Sequence, residues 1–128
     1  MPKETCTVKV RPAGRTAFVV VEGYLNSTAP SPEQLTRTTL GHGSRYVILD
    51  LTKASELDKE GLKWLSELRD SLESKDLDLK VVVKENSKVR RILKLMQYDR
   101  FLHLVSTLFQ AWRPNSGKKR TPKLPKSA

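Results

Sequence analysis

From Arg45 to Leu72 the chain reads RYVILDLTKASELDKEGLKWLSELRDSL. It opens with the apolar run Tyr46-Val47-Ile48-Leu49 and closes that run at Asp50-Leu51. A short continuous apolar run of this kind predicts a strand buried on both faces. Thr52-Lys53-Ala54-Ser55-Glu56 is polar and predicts a loop. From Leu57-Asp58-Lys59-Glu60-Gly61 onward, Leu62, Leu65, Leu68 and Leu72 recur at helical spacing, so an amphipathic helix follows. A strand, a loop and a helix N-terminus in this order place free backbone amides at the carboxyl end of the strand. That is where a partner of the folded part should dock.

Before this stretch, Thr7–Lys9 and Thr16–Val21 are valine-rich and separated by Pro12-Ala13-Gly14-Arg15, which predicts a hairpin. Ser31-Pro32-Glu33-Gln34 has the chemistry of a helix start, with Ser31 as cap, and Gly41-His42-Gly43 ends that helix. After it, Leu77–Lys84 predicts another buried strand. Ser87 is the expected cap of a helix whose apolar stripe is Val89, Ile92, Leu93 and Met96. Phe101–Val105 predicts a weak strand, Thr107–Trp112 a last short helix, and Pro114 its stop. The whole is an α/β domain with a mixed sheet over residues 1–113. Residues 114–128 carry little apolar material and are expected to be a disordered basic tail.

The chain has 128 residues, one cysteine and a net charge of +10. Six of its cations, Arg113, Lys118, Lys119, Arg120, Lys123 and Lys126, lie at the end with no acid among them, so the domain itself is only mildly basic. A single cysteine, Cys6, permits no internal disulfide and fits a reducing compartment. No apolar run approaches bilayer length and the N-terminus has no apolar signal core, so the expectation is a soluble cytoplasmic protein without membrane insertion. No Cys/His cluster, P-loop, G-x-S-x-G or dinucleotide fingerprint occurs. The reading is therefore no enzyme, no metal and no cofactor. His42 reads as a loop residue and His103 as a partly buried one.

Several stretches together resemble the STAS domain of anti-sigma-factor antagonists. Glu22-Gly23-Tyr24-Leu25-Asn26 is similar to the family's first strand end, with Asn26 where Asp is usual. Val47-Ile48-Leu49-Asp50-Leu51 resembles its central strand. Leu57-Asp58-Lys59-Glu60-Gly61-Leu62 stands where the family carries D-S-S-G-L or D-S-T-G-L. Ser87-Lys88-Val89-Arg90-Arg91-Ile92-Leu93 resembles the opening of its third helix, and Tyr98-Asp99-Arg100-Phe101-Leu102 its return to the sheet. The resemblance implies a STAS-like mixed sheet of four to five strands, with about four helices mainly on one face. It also implies a non-enzymatic role, binding a partner protein through the loop and the start of the second helix. That partner is an anti-sigma-factor kinase in many members. The second residue of the S-S or S-T pair is the phosphorylated one in switching members, and Glu60 stands at that position.

The implied partner-binding set is Asn26, Ser27, Ser55, Glu56, Leu57, Asp58, Lys59, Glu60, Gly61, Lys63 and Trp64. Glu60 has two compatible readings. It is a helix-start carboxylate, favoured there by roughly 0.3–1 kcal/mol, or it imitates a phosphorylated residue in part, with −1 charge against about −1.5 to −2 for phosphoserine. Ser55 is an alternative phosphoacceptor or a solvated loop hydroxyl. Lys80, Lys84, Lys88, Arg90, Arg91 and Lys94 form either a solvated basic face or an anionic docking surface. Two other functions remain open on these residues. One is a scaffold or accessory subunit of a stressosome-like or membrane transport complex. The other is nonspecific nucleic-acid contact through Arg113, Lys118, Lys119 and Arg120.

Overall fold

The computed structural model describes residues 5–112. The chain begins in a hairpin. β1 (Cys6–Ala13) runs antiparallel to β2 (Thr16–Leu25), in register from Cys6 against Gly23 to Ala13 against Thr16. Only Gly14 and Arg15 make the turn, so both strands extend further than their valine clusters suggest. Gly23 is fixed twice over. Its φ is +91°, and a Cβ there would collide with the carbonyl oxygen of Thr5.

Three crossovers follow: α1 (Pro32–Gly41), β3 (Tyr46–Leu57), α2 (Lys59–Ser74), β4 (Asp78–Val82), α3 (Lys88–Leu95) and β5 (Leu104–Val105). Between α3 and β5 lies a 3₁₀ turn at Tyr98–Arg100, and α4 (Leu108–Trp112) comes last. The five strands lie in chain order, with β2 to β5 parallel. Successive crossovers of one hand, each stepping the same way across the sheet, leave α1, α2 and α3 on one face. The predicted architecture is the one found.

The main core lies under that face. Val19, Val21, Leu25, Leu49, Leu51 and Val81 from the sheet meet Leu65, Leu68, Leu72, Val89 and Leu93 from the helices. A smaller cluster on the opposite face joins Ile48 and Val82 to Ala111 of α4, with Phe18 and Val105 beside them. Val47, Ile48 and Leu49 are therefore all buried, as a strand covered on both faces requires.

Four expectations need correction. Thr52–Glu56 is not a loop but the second half of β3, paired with β2 from Glu22 against Lys53 to Leu25 against Leu57. Two register shifts break the alternation there, between Val20 and Glu22 and between Gly23 and Tyr24 on β2, which conceals the strand from a period-two search. Asp50 supports the first shift, its carboxylate accepting the Thr52 N–H at 2.8 Å and the Thr52 hydroxyl at 2.7 Å. Two shifts restore the parity, and Leu57 returns to the core.

Next, the Phe101–Val105 segment contributes only Leu104 and Val105 as strand. Phe101 instead packs on Tyr98 at 4.9 Å between ring centroids, with the Arg69 guanidinium 5.2 Å from its ring. Met96 does not pack, because α3 has ended at Leu95 and Met96 is 54% exposed. Last, Lys80 belongs to the opposite sheet face from α3, its ammonium donating to the Ala111 carbonyl at 3.4 Å. The predicted tail, with Arg113 and Pro114, lies outside the described residues.

Leu65 is fully buried at the centre of the main core. Leu65→Ala is expected to lower the unfolding free energy by about 2–5 kcal/mol, read from the urea midpoint at constant m-value.

Candidate functional site

The end of β3 and the first turn of α2 are joined without a spare residue. Leu57 is the last of the strand, Asp58 the cap and Lys59 the first of the helix. Asp58 accepts the Gly61 N–H on its carboxylate at 2.9 Å, and the Leu62 N–H bonds to the Asp58 carbonyl at 2.9 Å. The Asp58 N–H donates to the carbonyl of Leu25 at 3.3 Å, so the helix start is stitched to the end of β2. Gly61 sits against that same carbonyl. A Cβ would collide with the Leu25 oxygen and stand 3.0 Å from Leu57 Cβ. The glycine lets the first turn lie directly on the strand end.

This seating sorts the sequence-predicted residues. Glu60 lies in the first turn of α2 and is exposed, as are Lys59 and Lys63 on the same helix. Ser27 and Ser55 are also exposed, and Asn26, Glu56 and Asp58 are half-buried. Leu57, Gly61 and Trp64 are buried and shape the surface from beneath. Trp64 is an anchor, its indole N–H donating to the Pro30 carbonyl at 2.6 Å. That bond holds the β2–α1 connection against α2.

The other end of the connection is tied by Asn26. Its side-chain oxygen accepts the Thr28 N–H at 3.0 Å and the Thr28 hydroxyl at 2.7 Å, while Thr28 Oγ1 accepts the Cys6 N–H at 3.1 Å. A shallow cleft of about 210 Å³ lies between the connection and α2. It brings together Asn26, Ser27, Glu60, Lys63 and Trp64. Ser55 and Glu56 are not part of it. They lie on the bulged half of β3, and Glu56 pairs instead with Lys88 at 3.5 Å.

Five cleft residues were not legible as site residues, Ala29 and Pro32 among them. Pro30 and Ser31 lie in a segment read only as a helix lead-in. Glu67 follows Glu60 and Lys63 at i+7 and i+4, a spacing that could have placed it on the same stripe. Among the described residues, two groups titrate away from their ordinary values. Burial pushes the Cys6 thiol up, opposed by a backbone hydrogen bond with Asn26. Partial shielding and then the charge of Lys80 lower the pKa of His103, with Asp78 opposing. Among the described residues no cluster of His, Cys, Asp and Glu could hold a metal ion, and no helix is long and apolar enough to cross a membrane.

The STAS domain profile matches residues 16–111. The chain belongs to the STAS domain family. A crystal structure of an anti-sigma factor antagonist from Mycobacterium paratuberculosis superposes with a TM-score of 0.70 at 27% identity, over 84% of this chain and 91% of that one. SpoIIAA, an anti-sigma factor antagonist solved in its unphosphorylated form, gives 0.64 at 14% identity, over 89% and 100%. The Bacillus SpoIIAA in its phosphorylated form gives 0.56 at 14% identity, over 82% and 96%. At that identity the two SpoIIAA structures speak for the fold alone. No curated protein matches the chain.

A helix glycine replaced by alanine ordinarily gains about 1 kcal/mol. Because Gly61 faces a backbone oxygen that cannot swing away, Gly61→Ala in this STAS domain is expected to reverse the sign and destabilise by about 1–3 kcal/mol. Asp58→Ala, which strips the cap, should cost about 1 kcal/mol. Urea unfolding of both variants checks the pair.

Proposed function

We propose that this STAS domain is a non-enzymatic regulatory module of the anti-sigma-factor-antagonist type, which binds a partner protein through the start of α2 and the adjoining β2–α1 connection. Anti-sigma-factor antagonists act by binding partner proteins, and the family is generally regulatory and not catalytic. The observation that carries the reading is the placement of Glu60. It is exposed in the first turn of α2, at the rim of the cleft shared with Asn26, Ser27 and Lys63. The Asp58 cap already satisfies the Gly61 amide, so the Glu60 carboxylate is not consumed in closing the helix end.

Glu60 stands where the family resemblance puts the phosphorylatable serine or threonine. A carboxylate has no hydroxyl to receive a phosphoryl group, so control by phosphorylation at this position is absent. The positive end of the α2 dipole favours the glutamate as it would favour a phosphate, at about half the charge. Occupancy of the partner is then set by the amount of protein and not by its modification state.

Affinity capture from native extract with wild type, Glu60→Ser and Glu60→Arg, followed by incubation of the captured complexes with ATP, tests this. An anti-sigma-factor kinase is expected on wild type and unmoved by ATP. Glu60→Ser should become phosphorylated and release it, and Glu60→Arg should weaken capture by about tenfold, because it reverses a charge facing the partner. Capture indifferent to all substitutions at Glu60 would sink the docking surface. Phosphate found on the wild-type α2 start would sink the loss of control.

A further inference from the structure

The outward face of α3 is basic. Its inner face is spent on the core through Val89 and Leu93. Outward, an open trough of about 630 Å³ runs along the helix past Arg90, Arg91, Lys94 and Leu95. Arg90 is held at the trough wall, its guanidinium donating to the Val83 carbonyl at 3.4 Å. Among the described residues, Arg91 and Lys94 form no ion pair. At the C-terminal end of the trough Leu95 is 72% exposed, next to Met96 at 54%. Leu95 and Met96 thus leave uncovered apolar surface adjoining Arg91 and Lys94.

We propose that this face of α3 docks an acidic amphipathic helix of a partner protein. The charge selects an anionic occupant, and the apolar end decides its class. A nucleic-acid backbone would use Arg91 and Lys94 but has nothing apolar to bury on Leu95, and the trough lining includes no aromatic side chain on which a base could stack. At the other end stands Glu85, which accepts the Ser106 hydroxyl at 3.0 Å and repels phosphates. A bilayer would meet only two apolar side chains at one helix end. The eight residues of α3 span about 12 Å, two turns of a partner helix. Carboxylates on it at i and i+4 reach Arg91 and Lys94, and an apolar residue a turn further covers Leu95. The surface stands apart from the α2 docking reading, since Glu60 is on another helix and variants on each are independent.

The full chain, with its basic terminus, is used throughout, so only differences between variants count. The probe is a fluorescently labelled synthetic helix bearing glutamates at i and i+4 with leucines between them, read by anisotropy. Wild type is expected to bind it, Arg91→Glu/Lys94→Glu to lose about tenfold, and Leu95→Ser to lose about fivefold. Binding of a duplex DNA of equal charge should change less on Arg91→Glu/Lys94→Glu than peptide binding does, and be indifferent to Leu95→Ser. Equal peptide binding by all three proteins overturns the proposal. So does a loss of DNA binding on Arg91→Glu/Lys94→Glu larger than the loss of peptide binding, with Leu95→Ser affecting neither, which would make the face a nucleic-acid contact. The three substituted side chains, Arg91, Lys94 and Leu95, are all exposed, and circular dichroism with urea unfolding verifies that each variant is folded.

Discussion

The carbonyl oxygen of Leu25 is the point on which the seat of α2, and with it the candidate site, depends. It ends β2, accepts the N–H of Asp58, and fills the space that a side chain at Gly61 would need. One oxygen thus sets how far α2 can descend onto the sheet and where its first turn points. Hydrophobic burial of Leu65, Leu68 and Leu72 supplies the attraction that draws the helix down. The steric limit at Gly61 decides where the descent stops. Glu60, one residue before the glycine, is left outward because Gly61 is inward.

The same geometry explains why β3 is long. A helix start that must sit on the end of β2 requires β3 to reach that end, seven residues past Asp50. The register shifts let the polar segment Thr52–Glu56 do so while returning Leu57 to the core. Side-chain bonds inside Asp50–Thr52 fix the irregularity locally, and the Trp64–Pro30 bond fixes the opposing wall of the cleft. The proposed docking surface is therefore framed by a bulged strand, a capped helix and a connection tied at both ends. Its exposed members, Lys59, Glu60 and Lys63, are carried on helix backbone and not on a free loop.

Much of this could be read from residues. Asp58 as cap, Ser31 and Ser87 as caps, the leucine stripe of α2 and the continuous apolar run of β3 are local signals, because capping and periodicity act over a few neighbouring positions. What failed was long-range. Polar residues in a strand are held by a partner strand that is distant in sequence. The ends of α3 and β5 depend on packing against α2, where the Tyr98 hydroxyl donates to the Leu62 carbonyl at 3.2 Å. For the candidate site, the residue types and the helix end were legible. The inward turn of Trp64 was not, since nothing near it in sequence shows that Pro30 waits to accept its N–H.

The sequence alone determined the family, the order of elements and the absence of a hydroxyl at Glu60, because each follows from residue identity and near-neighbour spacing. Only the tertiary structure decided that Asn26, Ser27, Glu60 and Lys63 share one cleft, that Ser55 and Glu56 lie apart from it, and that Leu95 is left uncovered beside Arg91 and Lys94. Those outcomes depend on register between β2 and β3 and on the seat of α2. Both are fixed by contacts between residues some thirty positions apart, across which local spacing carries no information.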